Sequence, residues 1–137
     1  MMNVSALLLL LSIFVTTLNA YAIKNVTVDR AVDQMLLKIE NSVRDHNSTD
    51  FHSFFSPHFD SESWFDRYYS NLSSHQLASF VLRRFGHVDA RGVDFKFKFS
   101  ESHNVNDHML LRSFIAWTSK TPNNDFAIDT VRYYGEY

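Results

Sequence analysis

The groups in this chain that could move protons are seven histidines and fifteen carboxylates, and most of them are scattered. His46, His75, His87, His103 and His108 fall in stretches that read as loops or element ends, where a solvated imidazole is the ordinary state. The tightest grouping is His52, His58 and Asp60, which could form a charge relay, an acid–base pair or half of a metal site. These three are the catalytic candidates. No His-Glu-x-x-His spacing occurs, and no other cluster has metal-ligand spacing, so no metal is expected. The absence of cysteine excludes thiol nucleophiles, thiolate metal sites and disulfides. With three glycines in all, the chain has neither a Gly-rich phosphate loop nor a Gly-x-Ser-x-Gly elbow, and no cofactor is implied.

A second chemistry is modification. Asn25-Val26-Thr27, Asn47-Ser48-Thr49 and Asn71-Leu72-Ser73 are acceptor sequons for N-glycosylation, and all three fall at expected loops or helix starts. They matter only if the chain enters the secretory route. Ala6–Val15 is almost continuously apolar, no charged side chain precedes Lys24, and Ala20-Tyr21-Ala22 has the small-x-small form of a cleavage site. The expectation is a signal peptide over residues 1–22, cleaved after Ala22, followed by one domain over 23–137 and secretion to the extracellular space. The apolar run is short of the roughly 20 residues that span a bilayer. No later stretch is apolar enough to hold the protein in a membrane once the signal is removed. A net charge of −2 gives no electrostatic case for nucleic acid or an anionic membrane surface.

The elements that must position these groups change period midway. Val28–His46 places Val28, Val32, Met35, Leu36, Ile39 and Val43 on one helical stripe. Thr49–Ser56 predicts a helical turn with Phe51, Phe54 and Phe55 on one side, ended by Pro57. Ser63 could cap a short helix carrying Trp64, Phe65 and Tyr68. Ser73–Phe85 predicts a further helix, with Ser73 and Gln76 at capping-box spacing and Gly86 as its stop.

From Val93 to Ser100 the pattern is strict alternation, with Val93, Phe95, Phe97 and Phe99 on one face and Asp94, Lys96, Lys98 and Ser100 on the other. Glu101–Asp107 reads as a turn and His108–Thr118 as a strand apolar on both faces. One face holds Met109, Leu111, Ile115 and Trp117; the other holds Leu110, Phe114 and Ala116, with Arg112 among them. Thr121–Asp125 is a turn, and Phe126–Tyr134 a third strand whose broken alternation suggests a bulge.

A long helix, shorter helices and then an antiparallel sheet make an α+β domain, and this order resembles the NTF2-like, or cystatin-like, cone. The segment Asp50-Phe51-His52-Ser53-Phe54-Phe55-Ser56-Pro57-His58-Phe59 resembles that family's link after the first helix. With its signal segment, the chain is similar to the small secreted NTF2-like proteins numerous in nematodes. The resemblance implies a curved sheet around the first helix, a pocket between them and a convex face used for dimers. The pocket would take either a small apolar ligand or isomerase or dehydratase chemistry. Phe95, Phe97, Ile115 and Trp117 are the ligand-lining candidates. The expected function is therefore a secreted, glycosylated, non-enzymatic domain that binds a small apolar ligand or a protein partner, with a homodimer through the sheet as one form. The alternatives are an enzyme using an Asp or His acid–base, or a dimeric interaction module.

Overall fold

The computed structural model describes residues 27–91, 94–120 and 126–136; the expected signal segment, Asn25, Val93 and the expected turn at Thr121–Asp125 lie outside them. Helix α1 occupies residues 27–44 and buries Val32, Leu36, Ile39 and Val43, the stripe expected from spacings of three and four. It ends at His46, which takes a left-handed φ of +53° while the Asn47 N–H bonds back to the Ser42 carbonyl at 2.8 Å. Three short helices follow: α2 over Ser48–His52, α3 over Ser61–Tyr68 and α4 over Ser74–Ala78. Four strands complete the fold: β1 over Val81–Arg91, β2 over Asp94–Val105, β3 over His108–Lys120 and β4 over Phe126–Glu136. They form one antiparallel sheet in the order β1-β2-β3-β4. The architecture is α+β, with helices on one face of a curved sheet.

The alternation that begins at Phe95 runs further than expected, because Glu101 and His103 continue the inward parity and are buried. The turn is only Asn106-Asp107, with φ of +47° and +66°. Those angles match a two-residue type I′ hairpin, whose twist suits the strands it joins. Ser63 is not the cap of α3. Asp60 holds that place, accepting the Ser63 N–H at 3.1 Å.

The larger correction concerns Ser73–Phe85. The capping box of Ser73 and Gln76 forms, but the helix it starts ends at Ala78, and Val81 to Phe85 pair with β2 from Ser102 to Lys98. β-branched Val81 and the alternation of buried Phe80 and Leu82 favour extended chain once β2 offers a ladder. Gly86 is a bulge residue at φ +69°, between the register at Phe85 and the register at Asp89.

The helices and the link after α2 touch both outer edges of the sheet. On β1, the Glu40 carboxylate accepts the Leu82 N–H at 2.9 Å, Asp29 accepts the Val88 N–H at 3.0 Å, and Arg44 donates to the Phe80 carbonyl at 2.9 Å. On β4, Phe54 and Ser56 exchange backbone hydrogen bonds with Ile128, both at 2.9 Å. Unpaired edges invite other strands, and these contacts occupy Leu82 and Val88 on one edge and Ile128 on the other. They also fix the link between α2 and α3 over β4.

Phe95, Phe97, Phe99, Phe114 and Ala116 from the sheet meet the α1 stripe and Phe51, Phe65 and Tyr69 in one core. The hollow left within this core is about 20 Å³, room for about one water molecule, while a more open groove of about 530 Å³ runs between α1 and residues 81–84 at the β1 edge.

Candidate functional site

At the rim of this core, α3 lies over the inward face of β3 and β4, and a cleft opens there. Trp64 and Tyr68 are four residues apart on α3, so they share its face. Arg112 and Phe114 are two apart on β3, and Tyr133 stands opposite Phe114 on β4. These five side chains line a cleft of about 390 Å³. Its walls are rings in contact: Trp64 with Tyr68 at 4.7 Å between centroids, Trp64 with Phe114 at 5.7 Å, and Phe114 with Tyr133 at 5.8 Å. The Arg112 guanidinium carbon lies 5.6 Å from the Tyr68 ring centre.

A buried polar chain runs behind the cleft and returns to it. The Trp64 indole N–H donates to the Tyr69 hydroxyl at 3.2 Å, and that hydroxyl donates to Glu101. The other oxygen of Glu101 is 3.9 Å from Arg112. Glu101 is only 2% exposed, and burial raises its pKa above the usual carboxylate range, although Tyr69 and Arg112 both pull it back down. Burial, with Glu101 beside it, pushes the Tyr69 phenol well above its usual value. One position further along the same face of β2, His103 is buried, and its pKa is lowered by burial and then by Arg112. Its Nδ1 has no hydrogen-bond partner among the described residues. Such a set places a carboxyl group with a raised pKa beside a permanent cation, which suits holding an oxygen-bearing ligand or holding a proton.

The catalytic candidates lie elsewhere. His52 Nδ1 is 3.1 Å from the Ser61 hydroxyl, and His58 is exposed in the link after α2. Asp60 is fully engaged as a cap, and the hydrogen bonds from the Ser63 backbone and hydroxyl hold its pKa below the usual range. No hydrogen bond joins these three to one another among the described contacts. Among the described residues, no group of three or more His, Cys, Asp or Glu side chains is placed to hold a metal ion.

The four ligand-lining candidates are split. Phe95 and Phe97 are buried in the core, whereas Ile115 and Trp117 stand opposite Lys98 and Lys96 on the outer face. Directly paired residues share a face, so Leu110, Arg112, Phe114 and Ala116 are the inward set of β3. Ile115 and Trp117 therefore do not join Phe95 and Phe97 between α1 and the sheet, although Phe95 and Trp117 both border an open hollow of about 280 Å³ with Asp89, Arg91, Asp94 and Lys96. Asn47 is exposed as the cap of α2, accepting from the Asp50 N–H at 3.1 Å, and Asn71 is exposed after α3. Glu101 and Arg112, which the sequence reading did not single out, carried a usable signal. Extending the Phe95-Phe97-Phe99 alternation one step puts Glu101 on the buried face, and Arg112 stands alone among apolar residues of its own face.

A helical layer over a four-stranded antiparallel sheet, with a cleft at the rim, defines an NTF2-like fold. No family model matches the sequence, and no curated protein matches it. Among solved structures, the chain is similar to a Nuclear transport factor 2 (NTF2-like) superfamily protein from Salmonella enterica subsp. enterica serovar Typhimurium str. LT2. That match has a TM-score of 0.57 and 14% identity, over 80% of this chain and 91% of the Salmonella chain.

Proposed function

We propose that this protein is a secreted, glycosylated, non-enzymatic binding domain of NTF2-like fold, and that it takes its ligand in the rim cleft rather than inside the cone. The ligand is small, flat and largely apolar, and it carries an acidic or carbonyl oxygen. The observation that carries this reading is the composition of the cleft: four aromatic rings and one guanidinium around about 390 Å³. That volume lies within the range of small-molecule sites, whereas the 20 Å³ left inside the core does not. Aromatic walls reward flat apolar ligands, and a guanidinium fixes one oxygen-bearing end. Passage through the secretory route is supported by the apolar first segment, and glycosylation by the exposed positions of Asn47 and Asn71.

The test uses protein collected from the medium of secreting cells. Native mass spectrometry before and after glycosidase treatment reads sugar and any carried ligand together. A Trp117→Phe variant leaves Trp64, a cleft residue, as the remaining indole. Its fluorescence should be quenched on titration with 1-anilinonaphthalene-8-sulfonate or 1-naphthoate. Tyr133→Ala removes a half-exposed wall and should weaken that binding about tenfold. An unliganded mass together with no quenching at millimolar probe would overturn the binding reading. An unmodified mass, or retention inside the cell, would overturn glycosylation or secretion respectively.

The enzyme alternative is favoured by one observation, the buried Glu101, its pKa raised by burial, hydrogen-bonded to Tyr69. As an isomerase or dehydratase, the protein would use that pair, and not His52, His58 or Asp60, as its acid–base. Turnover of an enolisable ketone that Glu101→Gln abolishes would establish it over the binding reading.

A further inference from the structure

The face of the sheet turned away from the helices carries a charge that the overall value of −2 conceals. The strand register places Arg83, Arg91, Lys96, Lys98 and Arg132 on it, against the carboxylates of Asp89 and Asp94. Asp89 is paired with Arg91 at 3.2 Å on the rim, so the centre of the face is cationic. Lys98 and Arg132 stand in one cross-strand row, on either side of Ile115. Lys96 stands in the next row, opposite Trp117. Neighbouring rows on one face are about 7 Å apart along a strand, and neighbouring strands about 4.8 Å apart.

These cations are held in place. Lys96 Nζ lies 5.8 Å and Arg132 Cζ 5.5 Å from the Trp117 ring centre, reaching it from the strands on either side. Lys98 Nζ lies 5.4 Å from the ring centre of Tyr134. Stems laid along aromatic rings have less rotamer freedom to lose when the charged heads meet an anion. The fixed row is therefore better prepared for binding than the same charges on free side chains would be.

Charge and stacking together decide what fits. A second copy of this chain meeting the face symmetrically would set cation against cation. Single-stranded nucleic acid gains affinity by laying bases on open ring faces, and here the rings of Trp117 and Tyr134 already carry cations. A linear chain bearing strong anions at short intervals needs neither self-complementary charge nor free rings. We propose that the outer sheet face around Lys96, Lys98 and Arg132 is a docking surface for a sulfated polysaccharide. This inference does not depend on the rim cleft or its ligand. It draws on the secretory reading only for the opportunity to meet such a chain.

The test is binding of the purified full chain to immobilised heparin across a range of salt concentrations. Heparin should bind at physiological salt, with log affinity falling linearly as log salt rises. The triple variant Lys96→Gln, Lys98→Gln, Arg132→Gln should lose roughly fivefold per charge, about 100-fold in all, with a shallower salt slope. A control variant, Lys38→Gln with Arg67→Gln on the exposed helical side, should bind like the parent. Thermal melts establish that each variant is folded, and Lys96→Arg alone should keep the affinity. Four results would overturn the proposal: no heparin binding at physiological salt, equal binding by the triple variant, equal affinity for polyglutamate or oligo-dT, or a triple variant whose only change is its monomer–dimer equilibrium.

Discussion

Glu101 and His103 sit two residues apart on the same buried face of one strand, and burial shifts their pKa values in opposite directions, in each case against the charged form. Glu101 has its pKa raised from 4.5, so the folded state holds its proton more tightly than the unfolded state does. Its contribution to stability is fully present below about 4.5 and is lost as pH rises through the raised value. His103 has its pKa lowered from 6.5, so its contribution is present above 6.5 and is lost as pH falls through the lowered value. Urea unfolding across pH should separate the two. His103→Phe, beside the Phe80 ring at 6.1 Å, should remove the part of the acid loss that sets in below 6.5. Glu101→Gln should gain on the parent as pH rises above 4.5, since glutamine still accepts from Tyr69 and never charges. Parallel pH profiles for parent and variants would show that neither group titrates with folding. At this scale the sequence was half legible. Period-two parity assigns Glu101 and His103 to the interior, but the partner of Glu101, Tyr69, comes from a helix end 32 residues earlier, and no local pattern links the two.

Among the elements, those whose partners are near in sequence were readable, and those completed by distant partners were not. The α1 stripe and the alternation of β2 follow from side-chain period alone, and the capping box at Ser73 follows from spacing. The apolar spacing of Leu77, Phe80, Val81 and Phe85 suits one continuous helix, yet the chain from Val81 becomes β1 because Ser102 to Lys98 offer it a ladder. That choice is made by a partner about 20 residues away, as β-propensity commonly is. The β2–β3 hairpin is the reverse case, local and incompletely optimised. Asp107 takes a φ of +66°, a conformation glycine adopts without the Cβ penalty, and Asn-Gly is the favoured pair for a type I′ turn. Asp107→Gly should therefore stabilise the fold by about 0.5–1 kcal/mol, seen as a higher urea midpoint at unchanged m-value. A lower midpoint would mean that the Asp107 side chain supports the turn by more than its backbone strain costs.

Across the whole molecule, a cysteine-free chain must draw its stability from packing, and the packing here leaves a hollow of about 20 Å³ within the core. Reading thirteen phenylalanines in the sequence suggested a core and a ligand cavity at once, because an inward aromatic stripe is compatible with either. Only the meeting of both layers decides between them. Phe97 is 1% exposed and central to the stripe, and its ring lies 5.9 Å from that of Phe99 and 6.4 Å from that of Phe95. Truncation at such a site removes the transfer free energy of the ring and leaves a void that rigid neighbours cannot collapse. Phe97→Ala should cost about 3–5 kcal/mol, a large part of the roughly 5–15 kcal/mol that holds an ordinary domain together. It should show as a much lower urea midpoint, identical with and without reductant. If the variant stays folded, benzene should raise its melting temperature by entering the new void while leaving the parent unchanged. A loss below about 1 kcal/mol would mean that the interior has slack to repack, and a parent stabilised by benzene equally with and without Tyr133→Ala at the rim would mean that it already holds an interior cavity. Either outcome would return the ligand to the space between helix and sheet and remove the reason for placing it in the rim cleft.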